Sequence, residues 1–322
     1  MNSSLYKPTD PSIWTGRVDG DGPLHRRYHQ VIKPVDLGGK LTPTTDPSWA
    51  LLGFSSDEGV RRNKGRVGAA DGPDAIRKAM ASLPVHDSSL KLFDGGDITC
   101  ANGDLEDAQQ ILSQHVAGLI RAGYRTCVLG GGHEVAYGHY TGVANALGDQ
   151  SVGIINIDAH FDLRDDSGGP SSGTPFRQIR EDLQSTQRPF RYLCMGIQQC
   201  SNTRFLFDRA DAWGVEYVMA EDLMGQTGEM VQDKLDWFME AVDAIYLTIC
   251  LDVFSASIAP GVSAPNALGL LPRDVTPWLR NIVLSGKLVA MDVAEMNPSL
   301  DRDGITARLA GCLLDECFQV SV

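Results

Sequence analysis

Val152-Gly-Ile-Ile-Asn-Ile157 is a short, almost wholly apolar run that ends abruptly in Asp158-Ala-His160-Phe-Asp162. A run without polar alternation reads as a strand buried on both faces, as in a parallel sheet covered by helices. Two carboxylates and an imidazole just past the end of such a strand are costly unless something binds them. Spacing of two points Asp158, His160 and Asp162 to one side if the backbone stays extended. In open α/β sheets, ligands sit in the crevice outside the carboxyl ends of the strands. The stretch therefore reads as a metal site, against the plainer alternative of a strand end with solvated polar residues.

The same pattern recurs along the chain. From residue 49, strand-like apolar runs alternate with helical stretches, without a linker or a shift in composition. Strands are predicted over 49–54, 90–94, 124–129, 152–157, 190–197, 215–219, 244–251 and 288–293, with a closing helix over 306–318. That order predicts a single three-layer α/β domain over 49–322, with a mostly parallel sheet of roughly eight strands and right-handed crossovers. Residues 1–48, rich in Pro, Gly, Asp and Thr, are expected to form an N-terminal extension packed on the domain. Periodicity alone is equally compatible with a closed (β/α)8 barrel.

Composition narrows the functional classes. At 322 residues, 43% hydrophobic and 21% charged, the chain has the make-up of a soluble globular protein with a sizeable core. A formal net charge of −13 argues against nucleic acid or an anionic membrane as partner, since both demand a basic face. No apolar run reaches the length of a membrane span, and the N-terminus lacks the segments of a signal peptide. Seven scattered cysteines make no disulfide framework, and Cys127, Cys194 and Cys250 lie in strand-like runs where free thiols are common. The expectation is a reduced, cytoplasmic protein with a small-molecule partner.

Three further strand ends repeat the anomaly of the first: Gly130-Gly-Gly-His133, Thr248-Ile-Cys250-Leu-Asp252 and Asp292-Val-Ala-Glu295-Met-Asn297. Parallel strands of one sheet bring these ends to one edge. Singly, each has an ordinary explanation, such as a glycine turn or a helix cap. Together they supply too many imidazoles and carboxylates for one ion, and a number suited to two. Such ligands suit Mn2+ and also accept Zn2+ or Fe2+. Two ions about 3.5–4 Å apart share a water and lower its pKa, so metal-assisted hydrolysis is the expected chemistry.

Gly131-Gly-His133-Glu134, Asp158-Ala-His160-Phe-Asp162 and the strand end at 248–252 resemble the three metal motifs of the arginase–agmatinase (ureohydrolase) family, in that family's order. The resemblance extends to Gly72-Pro-Asp-Ala-Ile-Arg77 and Glu295-Met-Asn-Pro298. It implies an arginase-like fold and two Mn2+ ions. His133, Asp158 and Asp162 would hold one ion, His160 and Asp252 the other, with Asp158 bridging. It further implies that Glu295 binds the substrate's cationic C–N centre. A metal-bridging hydroxide is then expected to attack the amidinium carbon, with Asp162 or a nearby group taking and returning the proton.

Two positions depart from the family's pattern. Cys250 stands where the family usually has a second bridging aspartate. As a soft ligand it would weaken the site, admit another metal or make the site redox-sensitive; otherwise it points aside. Ser172 stands where arginases and agmatinases place a histidine, which argues against their activities. Ser172-Gly-Thr-Pro-Phe-Arg177, Gly196-Ile-Gln198 and Ala259-Pro-Gly-Val-Ser-Ala-Pro265 look most like the branch that hydrolyses N-formimidoyl-L-glutamate to L-glutamate and formamide in histidine degradation. Candidates for that substrate's two carboxylates are Arg177 and, in the glycine-rich loop, Arg61, Arg62 or Lys64, with Ser172, Asn202 and Thr203 adding hydrogen bonds. The alternatives are another ureohydrolase activity, or a metal- or ligand-binding homologue silenced by Cys250. The family commonly assembles, so a homo-oligomer is a further expectation.

Overall fold

Every residue of the strands Val152–Ile157, Tyr192–Ile197 and Ala244–Cys250 is buried, so the central strands need cover on both faces. A computed structural model shows how this is met; it describes residues 5–39, 41–165, 168–224 and 228–319. Its strands are β1 (Tyr6–Lys7), β2 (Lys33–Pro34), β3 (Trp49–Ser55), β4 (Leu92–Thr99), β5 (Arg125–Leu129), β6 (Val152–Ile157), β7 (Tyr192–Ile197), β8 (Glu216–Met219), β9 (Ala244–Cys250) and β10 (Leu288–Ala294). They form one sheet in the order β1-β4-β3-β5-β10-β9-β6-β7-β8, with β2 also on β4. Apart from β1 on β4, the described pairings are parallel.

The sheet is open, with β1 and β8 at its edges, which removes the barrel alternative. Residues from 49 onward supply the strands β3 to β10, and the N-terminal segment adds the two short ones. Two apolar clusters fill the spaces above and below. One joins the sheet to helices Gly72–Ala81, Gly228–Glu240, Pro272–Leu284 and Ile305–Phe318 through Met80, Leu235, Leu279 and Leu313. The other joins it to Leu105–Arg121, Val135–Leu147, Pro175–Ser185 and Arg204–Ala212 through Leu112, Val143, Ile179 and Leu206. Along β6 the side chains alternate between the two, Ile154 into one layer and Ile155 and Ile157 into the other. Each such burial contributes about 1.5–3 kcal/mol, which anchors β6 from both sides.

β4 runs through Thr99, past the Asp94 at which the sequence pattern stops. The carboxylates that look like a strand terminator are neutralised inside the fold. The buried Arg77 guanidinium donates to Asp94 (2.9 and 3.0 Å) and to Asp97 (2.7 Å), and the Trp14 indole donates to Asp94 at 2.7 Å. The loop after β3 is also more ordered than its composition suggests, since it contains the helix Glu58–Arg62 and the 3-10 turn Ala69–Asp71.

The topology decides where chemistry can occur. β5, β10, β9 and β6 are consecutive, and Leu129, Val293, Ile249 and Ile157 pair across them in one row. The residues just beyond this row are those of the four anomalous strand ends. They leave the sheet side by side.

Candidate metal centre

His133 lies beyond β5 on a turn that only small residues allow. A Cβ at Gly131 would sit 1.7 Å from the Ser56 carbonyl oxygen, so glycine is required where the two turns touch. The His133 ring points into the row of strand ends. Its Nδ1 lies 3.0 Å from Asp158 Oδ2 and 2.9 Å from Asp162 Oδ2, and its Nε2 is 2.9 Å from Thr248 Oγ1. His160 Nδ1 is 3.4 Å from Asp158 Oδ1 and 3.3 Å from Asp252 Oδ2. Cys250 does not point aside: its thiol donates to Asp252 Oδ1 at 3.0 Å. Donor atoms of His133, Asp158 and Cys250 all lie within 4.8 Å of one another, as do those of Asp158, His160 and Asp252. Asp158 is common to both groups.

The backbone of 158–162 does not stay extended. β6 ends at Ile157, and Asp162 has a left-handed φ of 48°. Convergence is produced instead by bonds from the neighbouring strand and turn. Asn202 Oδ1 accepts from Phe161 N, and its Nδ2 donates to Ala159 O and Gln198 O. The Tyr192 hydroxyl donates to Phe161 O. Asn202, expected to touch substrate, is thus committed to holding the loop that carries three candidate ligands. Asn202→Ala is expected to weaken Mn2+ binding about 10–100-fold, the usual effect of removing a ligand's support. Titration with Mn2+ followed by electron paramagnetic resonance checks this; an unchanged affinity would show that the loop holds itself.

The electrostatics fit cation binding. Burial alone would lower the His133 and His160 pKa, but the facing carboxylates outweigh it and leave both well above the ordinary value. Burial works to raise Asp158, yet its bonds to the two histidines hold it below the usual carboxylate range. Asp162 is raised by burial and by Asp158. His133 Nδ1 is buried within 3.0 Å of two carboxylate oxygens, yet makes no hydrogen bond of acceptable geometry among the described residues. Two ligands at right angles on an ion with bonds of about 2.1 Å lie about 3.0 Å apart, so this spacing suits coordination better than a direct hydrogen bond. If Thr248 accepts the Nε2 proton, Nδ1 is left as the free lone pair. The oxygen- and nitrogen-rich set suits Mn2+, with one soft sulfur as the exception.

Glu295 follows β10 with φ 70°. Its Oε1 accepts from His133 N at 3.0 Å. Burial, then the charges of Asp252 and Glu134, push it up to about 8. Glu134 is a further buried carboxyl, raised by burial to about 7, which the sequence pattern did not single out. It accepts from Ser56 Oγ and Gly59 N and so braces the turn under His133.

A cavity of about 370 Å3 opens onto this centre, lined by His133, His160, Asp162, Cys250, Asp252 and Glu295 and by Asn63, Lys64, Arg66, Arg164, Ser172 and Ser263. Ser172 is there as expected, and its Oγ accepts from Asn63 Nδ2 at 3.1 Å. Arg62 and Arg177 are not among the residues that line it. The Arg62 guanidinium is taken up by Glu58, Glu106 and the carbonyls of Gly103 and Pro170. Arg177 is paired with Glu181 along its own helix. In their place stand Arg66 and Arg164. Arg164 had a signal in the sequence, since it lies two residues beyond Asp162. A larger surface groove, about 920 Å3, is lined by residues such as Gln198, Met219, Leu268 and Asp274 and contains none of these ligands.

The chain is similar to known proteins over nearly its whole length. The arginase family model matches residues 47–319. A formimidoylglutamase from Geobacillus thermodenitrificans is 45% identical over 317 residues, covering 98% of this chain and 97% of that protein. One from Chromobacterium violaceum is 46% identical, covering 94% and 96%. Among solved structures, Trypanosoma cruzi formiminoglutamase with Mn2+ superposes with a TM-score of 0.76 at 26% identity, covering 84% of this chain and 92% of that one. Bacillus subtilis formimidoylglutamase, at 21% identity and a TM-score of 0.80 over 94% of each chain, shares the fold. From the match over nearly the whole chain and the relatives near 45% identity, this protein belongs to the arginase family.

Proposed function

We propose that this protein is a dinuclear manganese hydrolase that converts N-formimidoyl-L-glutamate and water to L-glutamate and formamide. The observation that carries the reading is a single cavity. It joins a metal-ligand cluster on its floor, a buried glutamate beside that cluster, and basic side chains on its wall. Full-length relatives near 45% identity carry the name of this activity. His133, Asp158, Asp162 and Cys250 would hold one ion and Asp158, His160 and Asp252 the other. When bound, the two ions supply a water nucleophile at neutral pH and offset charge developing at the carbon under attack.

The protein's own groups do the rest. Glu295, once charged, is a planar acceptor for the N–H groups of a formimidoyl amidinium and sets its carbon above the cluster. The Asp162 carboxyl, which lines the cavity, takes the proton released by water and returns it to the departing glutamate nitrogen. The new C–O bond forms at the formimidoyl carbon, the bond to the glutamate nitrogen breaks, and formamide leaves. All seven cysteines are free thiols, which supports a reducing, cytoplasmic setting. No helix among the described residues is long and apolar enough to cross a membrane.

Protein loaded with Mn2+ is expected to release glutamate from formimidoylglutamate, read by a coupled glutamate dehydrogenase assay. Urea from arginine or agmatine without glutamate release would overturn the substrate and keep the chemical class.

Metal loading carries its own pH signature. The raised histidines hold protons in the ion-free site, and those protons must leave before nitrogen can coordinate. Mn2+ affinity is therefore expected to rise with pH through the neutral range, about tenfold per pH unit for each proton displaced. Calorimetry at pH 6 and pH 8, in buffers of different ionisation heat, checks it; equal affinities at the two pH values would refute it.

A further inference from the structure

We infer that Lys64 and Arg164 are the specificity-determining residues of this site, clamping the carboxylates of the substrate. The inference rests on the hydrolase reading above and deepens it. The two side chains come from different loops, one after β3 and one after β6, and line the same cavity as Glu295 and the ligand cluster.

They are distinguished by what they do not touch. Around the cavity and the shallow site next to it, the other basic groups are already engaged. Arg61 and Arg62 are held by Glu58, and Arg62 also by Glu106. Arg66 donates to the carbonyls of Ser263 and Val262 and is thereby taken up by backbone. The nearby acid Asp165 is taken by Arg209, and Asp57 accepts from Gly68 N. Among the described residues, the Lys64 ammonium and the Arg164 guanidinium have no hydrogen-bond or ion-pair partner. Two uncompensated cations facing one cavity stand out in a chain of net charge −13.

The surroundings are shaped to keep them there. A Cβ at Gly173 would lie 2.7 Å from Arg164 Cδ and 3.2 Å from Asn63 Nδ2, so glycine leaves the room that the arginine stem occupies. Lys64 is held at a left-handed φ of 62°. A guanidinium grips a carboxylate bidentately, and an ammonium holds one as a point charge. With Glu295 taking the cationic end, these cations select a substrate whose other end is anionic. They repel one such as agmatine, which carries a second positive charge there.

The test uses the Mn2+-loaded enzyme, the variants Lys64→Asn and Arg164→Gln, and three substrates. Asparagine tolerates the left-handed backbone at residue 64. The substrates are N-formimidoyl-L-glutamate, N-formimidoylglycine, which lacks the side-chain carboxylate, and 4-formimidoylaminobutyrate, which lacks the α-carboxylate. Each variant is expected to lose about 10–100-fold in kcat/KM on the dicarboxylate, mostly through KM, the size expected for a charge-assisted hydrogen bond. On the monocarboxylate that lacks its partner group, the same variant should lose at least about tenfold less, and Arg164→Lys should recover part of the loss. Equal losses on all three substrates, a loss confined to kcat, or no loss would each overturn the assignment. So would a fall in Mn2+ affinity that matches the fall in turnover, since that marks a structural role. Wild-type enzyme that releases no glutamate would instead remove the hydrolase reading; active wild type with indifferent variants removes this inference alone.

Discussion

Asp158→Asn is expected to lower Mn2+-dependent turnover by about 1,000-fold or more, with loss of at least one bound ion. Among the described residues, Asp158 is the one carboxylate within ion-pair distance of both histidines, Oδ2 at 3.0 Å from His133 Nδ1 and Oδ1 at 3.4 Å from His160 Nδ1. It is fully buried, and its Oδ1 also accepts from His160 N at 2.8 Å. Asparagine matches it in size and keeps that backbone acceptor, so the strand end should survive. The substitution removes the negative charge that two cations would share. Metal analysis together with turnover measures the effect; a variant that keeps two ions and activity within tenfold of wild type would refute the bridging role.

Glu295→Gln is expected to lower kcat/KM by about 100–1,000-fold while Mn2+ content stays unchanged. The glutamine carbonyl still accepts from His133 N, so the turn after β10 keeps its bond. Its NH2 group, however, meets the N–H donors of the substrate with donors of its own. The sign of the pH effect follows from the carboxyl's state. Burial and neighbouring carboxylates push Glu295 up to about 8 in the ion-free protein, and bound cations would lower that value. Only the charged form binds an amidinium, so kcat/KM should fall as pH drops through the Glu295 pKa, with the acid limb below pH 8. In the glutamine variant this limb should flatten. A variant within tenfold of wild type, or one that keeps the limb, would exclude Glu295 as the amidinium acceptor.

Much of the site is legible in the sequence alone, and the reason is topological. His133, Asp158, Cys250, Asp252 and Glu295 each come at or just after the end of an apolar run, and parallel strands deliver such ends to one edge. The Arg77 case shows the converse. Asp94 reads as the end of a strand because nothing local neutralises it, whereas the fold supplies a guanidinium from 17 residues away and the strand continues. The left-handed turn at Asp162 is likewise invisible to a period-two argument. The groups that impose it, Asn202 and Tyr192, lie 41 and 31 residues from the Phe161 they bind.

The cations in the loops around the cavity mark the boundary most clearly. Arg62, Lys64 and Arg177 are equivalent in the sequence, each a basic residue in or near a glycine-rich loop, and Arg164 differs only in lying two residues beyond Asp162. Whether a cation is free for substrate depends on which carboxylates reach it. Glu106 reaches Arg62 from 44 residues away, while no described acid reaches Lys64 or Arg164. By itself the sequence determined the alternating architecture, the sheet edge at which the polar strand ends gather and the candidate ligands, because these rest on periodicity and residue type within short runs. Only the tertiary structure decided which ligands meet, that Cys250 turns its sulfur inward and which cations stay uncompensated. Those outcomes are set by pairings between residues distant in the chain, and local pattern carries no information about them.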